Sequence, residues 1–311
     1  MSLKIGIIGL PNAGKSTLFK AITRKPVLIA SYPFTTVDPN VGIAEVPDER
    51  LLKIQEKIKP KETTPATLQF IDIAGLIEGA HKGDGLGNQF LSHIRECDAL
   101  VHVIDVFKEK TSEKDKKTIR DELLMKDLQT IEKAIEKAEK KEGKNSAKVL
   151  NLKKIKENPE NCNIEDLQLL SHKPVIYLYN GTKAEEGLCL DLKTEEEITE
   201  LTKEEKRELG LFSSLDRLIK ECYNSLDLIT FFTVVGEEKI QAWSLQNGEN
   251  IISAAEKVHS DFKEKFIRGE VISYNDFLKV KSLQEAKSLG KIKTVGRDYI
   301  VQDSDIIEFK I

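Results

Sequence analysis

The stretch Lys4-Ile-Gly-Ile-Ile-Gly-Leu-Pro-Asn-Ala-Gly-Lys-Ser-Thr17 constrains this chain more than any other. It holds Gly9-x-x-x-x-Gly14-Lys15-Ser16, a complete Walker A pattern. The apolar Ile5, Ile7 and Ile8 predict a buried strand before it, and Ser16 to Thr23 predict the first turns of a helix after it. The pattern thus falls on a strand-to-helix turn, where successive backbone N–H groups and the helix dipole can hold phosphate. Lys15 would bring a point charge to the β- and γ-phosphates, and the Ser16 hydroxyl could ligate Mg²⁺.

Bulk properties narrow the class. A chain of 311 residues has room for two or three domains, and its net charge of −4 argues against an overall basic nucleic-acid binder. The four cysteines, Cys97, Cys162, Cys189 and Cys222, form no CxxC pair, as expected of a reducing compartment without a zinc site. No signal peptide precedes the first strand and no apolar run reaches membrane-spanning length. These features together predict a cytoplasmic protein with no membrane partner.

Apolar runs at 68–72, 99–105 and 174–179 read as buried strands, and strands separated by helices imply a parallel α/β sheet. Between the last two, residues 108–165 are crowded with Lys and Glu. Leu124, Leu128, Ile131 and Ile135 keep helical spacing there, Gly143-Lys-Asn-Ser146 breaks it, and 149–152 resume it. Two antiparallel helices forming an arm are expected, whose charges are either a solvated face or a partner surface. Residues 195–226 read as helical. From Ile229 the pattern predicts strands at 229–235, 240–244, 270–273, 299–301 and 306–310, with a helix at 251–267, which makes a small α+β domain. The expected divisions are 1–107 and 172–228 for the two parts of the nucleotide-binding domain, 108–171 for the arm and 229–311 for the last domain.

Further residues fit nucleotide chemistry. Asp72-Ile-Ala-Gly75 closes an apolar strand as Asp-x-x-Gly: Asp72 can reach the Mg²⁺ shell and the Gly75 N–H the γ-phosphate. Tyr32-Pro-Phe-Thr-Thr36 offers a threonine hydroxyl to the same ion. Leu76 stands where Ras-like enzymes place a water-orienting Gln, so hydrolysis needs another group. His81, in the Gly-rich stretch 79–87, is the candidate, its alternative being an exposed loop His without a role. His102 lies within an apolar strand and reads as core. At the base end, Asn180-Gly-Thr-Lys183 has a cation where guanine needs a carboxylate, which does not support guanine specificity.

The motifs Gly9–Phe19, Tyr32–Gly42 and Asp72–Asn88, with matching stretches at 127–135, 258–262, 266–277 and 298–303, closely resemble the YchF type of Obg-related ATPase. The resemblance implies an OBG-type G domain on a P-loop α/β fold, an inserted coiled-coil arm and a C-terminal TGS domain. It puts the phosphate loop on Asn12, Ala13, Gly14, Lys15, Ser16 and Thr17, Mg²⁺ ligands on Ser16 and Thr36, and a backbone contact to the adenine side near Gly181, beside Asn180, whose amide can pair with a purine edge. It implies Mg²⁺-dependent hydrolysis of ATP in preference to GTP, K⁺ as an activator near Asn12, and association with a ribosome or ribosomal subunit through arm and TGS domain, with no sequence-specific DNA partner. A nucleotide-binding ribosome adaptor with little turnover, or a GTPase, is the alternative. This chain departs from the family in Lys183, where a Glu is usual, in Asp105, where Arg is frequent, and in a stretch 108–120 without His. Its residues 190–195 replace a Ser-Ala-Lys-like motif, and the chain is shorter than is usual for the family.

Overall fold

The computed structural model describes residues 3–23, 40–73, 86–107, 112–159, 167–183, 187–211, 213–236 and 238–311. In chain order the first elements are β1 (Lys4–Ile8), α1 (Lys15–Thr23), β2 (Val41–Glu45), α2 (Glu49–Ile58), β3 (Glu62–Thr64), β4 (Thr67–Asp72), α3 (Leu86–Glu96) and β5 (Ala99–Asp105). The arm follows as α4 (Ser112–Glu142) and α5 (Ala147–Glu157). Next come β6 (Val175–Asn180), β7 (Leu188–Leu190), α6 (Leu192–Glu200), α7 (Lys203–Glu208) and α8 (Leu215–Ser225). The last region holds β8 (Leu228–Val235), β9 (Lys239–Gln246), α9 (Ile251–Val258), α10 (Ser260–Lys265), β10 (Arg268–Ile272), α11 (Tyr274–Lys279), α12 (Leu283–Ser288), β11 (Lys293–Val295) and β12 (Ile306–Lys310).

The first sheet has the order β2-β4-β1-β5-β6-β7. All its neighbours are parallel except β2, which runs antiparallel to β4 from Val41 opposite Ile71 to Glu45 opposite Thr67. The expected all-parallel sheet therefore carries one antiparallel edge strand. Its central strands read as nearly continuous apolar runs because both faces are covered. Ile5, Ile7, Phe70, Val101 and Val103 pack with Leu18 and Ile22 of α1 and Leu218 and Ile219 of α8. On the other face, Ile8, Ile71 and Leu100 meet Leu91 and Ile94 of α3 and Ile119 and Leu123 of α4.

β6 and β7 are parallel neighbours, yet only residues 181–187 connect them. A parallel pair ordinarily needs a crossover of about a dozen residues, usually helical. The short connection works because β7 starts level with Leu178, near the end of β6. Tyr177, on β6, is 37% exposed.

In the arm, Ser146 caps α5 by accepting from the Val149 N–H at 3.3 Å. Lys153–Glu139 and Lys156–Glu132 pairs run in opposite chain directions, so the helices are antiparallel as expected. The buried apolar positions of α4 begin with Ile119 and Leu123 rather than Leu124 and continue through Ile131 and Ile135. Asp127 lies within it, accepting from the Leu170 and Ser171 N–H groups, both at 2.8 Å.

The second sheet has the order β11-β10-β12-β8-β9-β3. Four of the five strands expected after Ile229 form; the stretch 299–301 makes only an isolated bridge, Asn250 with Ile300. The helix expected over 251–267 breaks at His259, whose extended backbone and Nδ1 cap α10. The edge strand β3 comes from residues 62–64 and pairs in parallel with β9. Nothing in the sequence reading anticipated that pairing.

Candidate nucleotide site

The loop between β1 and α1 is held in a shape few residue types adopt. Gly9 has φ +153°, and a Cβ there would lie 2.5 Å from the Val103 carbonyl oxygen. Gly14 has φ +105°, and a Cβ would lie 2.5 Å from Asn180 Nδ2. Asn12 takes φ +66°, in the left-handed region that Asn tolerates better than most residues. The result is a bend whose N–H groups, at a helix N-terminus, suit an anion.

Lys15 and Ser16 open α1. Lys15 is 7% exposed and donates from Nζ to the Leu10 carbonyl at 2.9 Å. Ser16 Oγ donates to Asp72 Oδ2 at 3.2 Å. Asp72 ends β4, and its neighbour on β1 is Ile7, so the sheet register itself delivers the carboxylate beside the loop. Burial pushes the Asp72 carboxyl above its ordinary range, while the Ser16 hydroxyl and the Lys15 ammonium pull it back. Burial lowers Lys15, which Asp72 opposes. A cation, an anion and a hydroxyl therefore converge on one half-buried point. The neutral and anionic oxygens of Ser16 and Asp72 are the hard donors that Mg²⁺ takes, and their juxtaposition fits that ion. Among the described residues no cluster of three His, Cys, Asp or Glu forms a site for another metal.

The base end departs from expectation. Asn180 Nδ2 donates to the Ala13 carbonyl at 3.0 Å, and Oδ1 accepts from the Leu192 N–H at 3.2 Å. Its amide thus fastens the phosphate loop to the start of α6, leaving one N–H and one lone pair for a base. The Gly181 N–H donates to the Leu190 carbonyl at 3.0 Å, and its carbonyl accepts from Cys189 Sγ at 3.1 Å. A Cβ on Gly181 would lie 2.6 Å from Val106 Cγ2, which fixes this tight approach. Lys183 is exposed. In the stretch 190–195, Glu195 is buried and accepts from Ser213 Oγ and the Ser214 N–H, which ties α6 to the segment that enters α8. Asp191 caps α6 through the Lys193 and Thr194 N–H groups.

The structure therefore brings together Asn12 to Thr17, Asp72, Asn180 and Gly181. Thr36, Gly75, Leu76 and His81 lie outside the described residues, as does Cys162. Sequence reasoning missed the tether role of Asn180, which no local pattern signals because its partners are 167 and 12 residues away. His102 is core, as expected: it is 2% exposed on β5, and burial lowers its pKa to about 4, with Lys116 and Lys15 adding to the effect. Cys97 and Cys222 are buried free thiols.

Comparison with known proteins places this site in a family. Residues 4–154 match the model described as "50S ribosome-binding GTPase", and residues 228–311 match the YchF GTPase C-terminal model, described as "Protein of unknown function (DUF933)". The chain is 40% identical to the "Ribosome-binding ATPase YchF" of Bacillus subtilis, covering 100% of this chain and 99% of that one. It is 38% identical to the protein of that name from Escherichia coli O157:H7, over 99% of each. The Bacillus alignment runs over 365 positions for the 311 residues here, so at least 54 positions of the relative have no counterpart (365 less 311). The solved structure of the Schizosaccharomyces pombe YchF GTPase superposes with a TM-score of 0.82 at 32% identity, covering 99% of this chain and 98% of that one. With a phosphate loop, an inserted helical arm and a C-terminal α/β domain in the same order, and with these relatives along its whole length, the chain belongs to the YchF family.

Proposed function

We propose that this protein is a Mg²⁺-dependent P-loop ATPase that takes ATP in preference to GTP and works as a ribosome-associated switch. The observation that carries the reading is the convergence of Lys15, Ser16 and Asp72 on the strand–loop–helix turn. The names of the relatives support ATP hydrolysis and ribosome association. Within this reading, residues 1–107 and 172–228 are the two parts of an OBG-type G domain. Residues 108–171 are the arm, and 229–311 are a TGS domain. The protein acts in the cytoplasm; no described helix is long and apolar enough to cross a membrane.

Each residue has a task. Backbone N–H groups from Asn12 to Thr17 bind the β- and γ-phosphates, and Lys15 leaves the Leu10 carbonyl to bridge them. Ser16, Asp72 and Thr36 hold Mg²⁺, which neutralises charge on the phosphate oxygens when bound. The Gly75 N–H meets the γ-phosphate. Because Leu76 has no polar group, His81 orients water, and K⁺ near Asn12 is the activator. Lys183 offers guanine no acceptor, which favours ATP. A nucleotide-binding adaptor with little turnover is the second reading; Leu76 is the residue that favours it.

Turnover of ATP and GTP by the purified chain, with and without ribosomes, in K⁺ and in Na⁺, tests the proposal. The expected result is ATP hydrolysis raised by ribosomes and by K⁺ and greatly reduced in His81→Ala. Full turnover in that variant under all conditions removes His81 from the mechanism, and an inert chain in every condition favours the adaptor. GTP preferred over ATP by tenfold, about 1.4 kcal/mol, overturns the base assignment.

A further inference from the structure

The arm carries a groove that the nucleotide site does not use. Between 137 and 156 the sequence has eight lysines and two glutamates, six positive charges net in a chain of −4, which leaves −10 on the rest. A groove of about 810 Å³ opens between α4 and α5 in this segment. Ala134, Ala138, Leu152 and Leu167 line it, and Lys137, Lys141 and Lys148 stand beside them, all three exposed. The alanines let a partner backbone come close, and three lysines against the single carboxylate of Glu142 leave the lining net positive. From residue 134 to residue 142, α4 rises about 12 Å, two turns of a docked helix.

We propose that this groove binds an acidic amphipathic helix of a partner protein: apolar side chains spaced i, i+3 and i+7 enter between α4 and α5, and flanking Asp or Glu pair with Lys137, Lys141 and Lys148. Helix-in-groove recognition has this apolar centre and charged rim. The same features disfavour RNA. Phosphates need no apolar cavity, and among the described residues no Arg or aromatic residue lines this one for a base to stack upon. The site is separate from the phosphate loop, and the proposal holds whether or not the chain hydrolyses ATP.

The test uses the full chain with neither nucleotide nor ribosomes. The probes are a fluorescent 14-residue peptide with Leu at i, i+3, i+7 and i+10 and Glu on both flanks, a scrambled peptide of equal composition, and labelled 12-nucleotide polyuridylate. Fluorescence anisotropy should show saturable binding of the amphipathic peptide, weaker by about tenfold for the scramble. The triple variant Lys137→Glu/Lys141→Glu/Lys148→Glu should lose about tenfold or more. Ala147→Trp, at an exposed position lining the groove, should lose a comparable factor without any change of charge. Circular dichroism reports on folding in both variants. The proposal is overturned if scrambled and amphipathic peptides bind alike, or if Ala147→Trp binds like the parent. Tighter binding of polyuridylate that the triple variant abolishes makes this an RNA face instead. Self-association of the chain that the triple variant abolishes makes the occupant a second copy.

Discussion

His102, within the apolar run of β5, and Asn180, at the end of β6, are both polar, and the structure gives them opposite tasks. His102 sits neutral between Ile8 of β1 and Tyr177 of β6, whose ring lies 5.6 Å away. Its folded pKa of about 4 is below the ordinary 6.5, so the unfolded chain binds the extra proton between those values. Stability therefore rises with pH across that window and is lost as pH falls from about 6.5 toward 4, by about 3 kcal/mol if this group acts alone. Urea unfolding at pH 7 and pH 5 should show about 2 kcal/mol of this loss, and His102→Phe should flatten it. Asn180 instead ties the phosphate loop to α6. Asn180→Ala should weaken ATP and GTP alike by about 1–2 kcal/mol, since it removes the Ala13 tether; calorimetry with both nucleotides distinguishes this from loss of a base contact, which would weaken one selectively. Lys15→Ala should cost about 2–4 kcal/mol of nucleotide affinity or transition-state stabilisation, read from the same titrations and from turnover.

At the scale of elements, α4 shows where helical periodicity succeeds and where it misleads. The spacing Ile131–Ile135 marks the buried stripe correctly, because those side chains face α5 and meet Val149 and Leu152. Toward the N-terminal half the helix turns to the main sheet, and the buried positions become Ile119 and Leu123. Asp127 sits where the two environments meet and terminates two N–H groups of the segment 170–171. A buried carboxylate there reads in sequence as one more charge on a charged arm. Asp127→Ala should leave both donors unsatisfied and cost about 3 kcal/mol, measured by chemical denaturation. Asp127→Asn, which keeps one acceptor, should cost less.

At the scale of the whole molecule, the segment 41–64 binds the two sheets into one assembly. It gives β2 to the first sheet and β3 to the second. Between them α2 carries Arg50, whose guanidinium bonds Asp48 and Asp303 and lies 5.9 Å from the Phe232 ring centre. Asp303 in turn accepts from the Thr230 N–H at 3.0 Å. Lys57 Nζ donates to the carbonyls of Phe277 and Leu278. The C-terminal sheet is thus completed by the nucleotide-binding part. Arg50→Ala should lower stability by about 2 kcal/mol and separate one calorimetric unfolding transition into two.

The phosphate loop, the buried central strands, the arm with its turn at 143–146 and most of the C-terminal strands were legible in sequence because each depends on neighbours within a few residues. A Walker A turn is fixed by its own glycines, a strand by its apolar run and a hairpin of helices by its break. The tertiary structure alone decided the antiparallel edge β2, the seven-residue connection between β6 and β7, the tether at Asn180 and the exchange of β3. The tether and the exchanged strand join residues far apart in the chain, Asn180 with Ala13 and Thr64 opposite Gln241, while β2 and β7 pair with strands nearer in sequence whose direction and register no local pattern specifies. Local pattern carries no record of a partner more than a hundred residues away; only the register of the folded sheets brings such pairs within bonding distance.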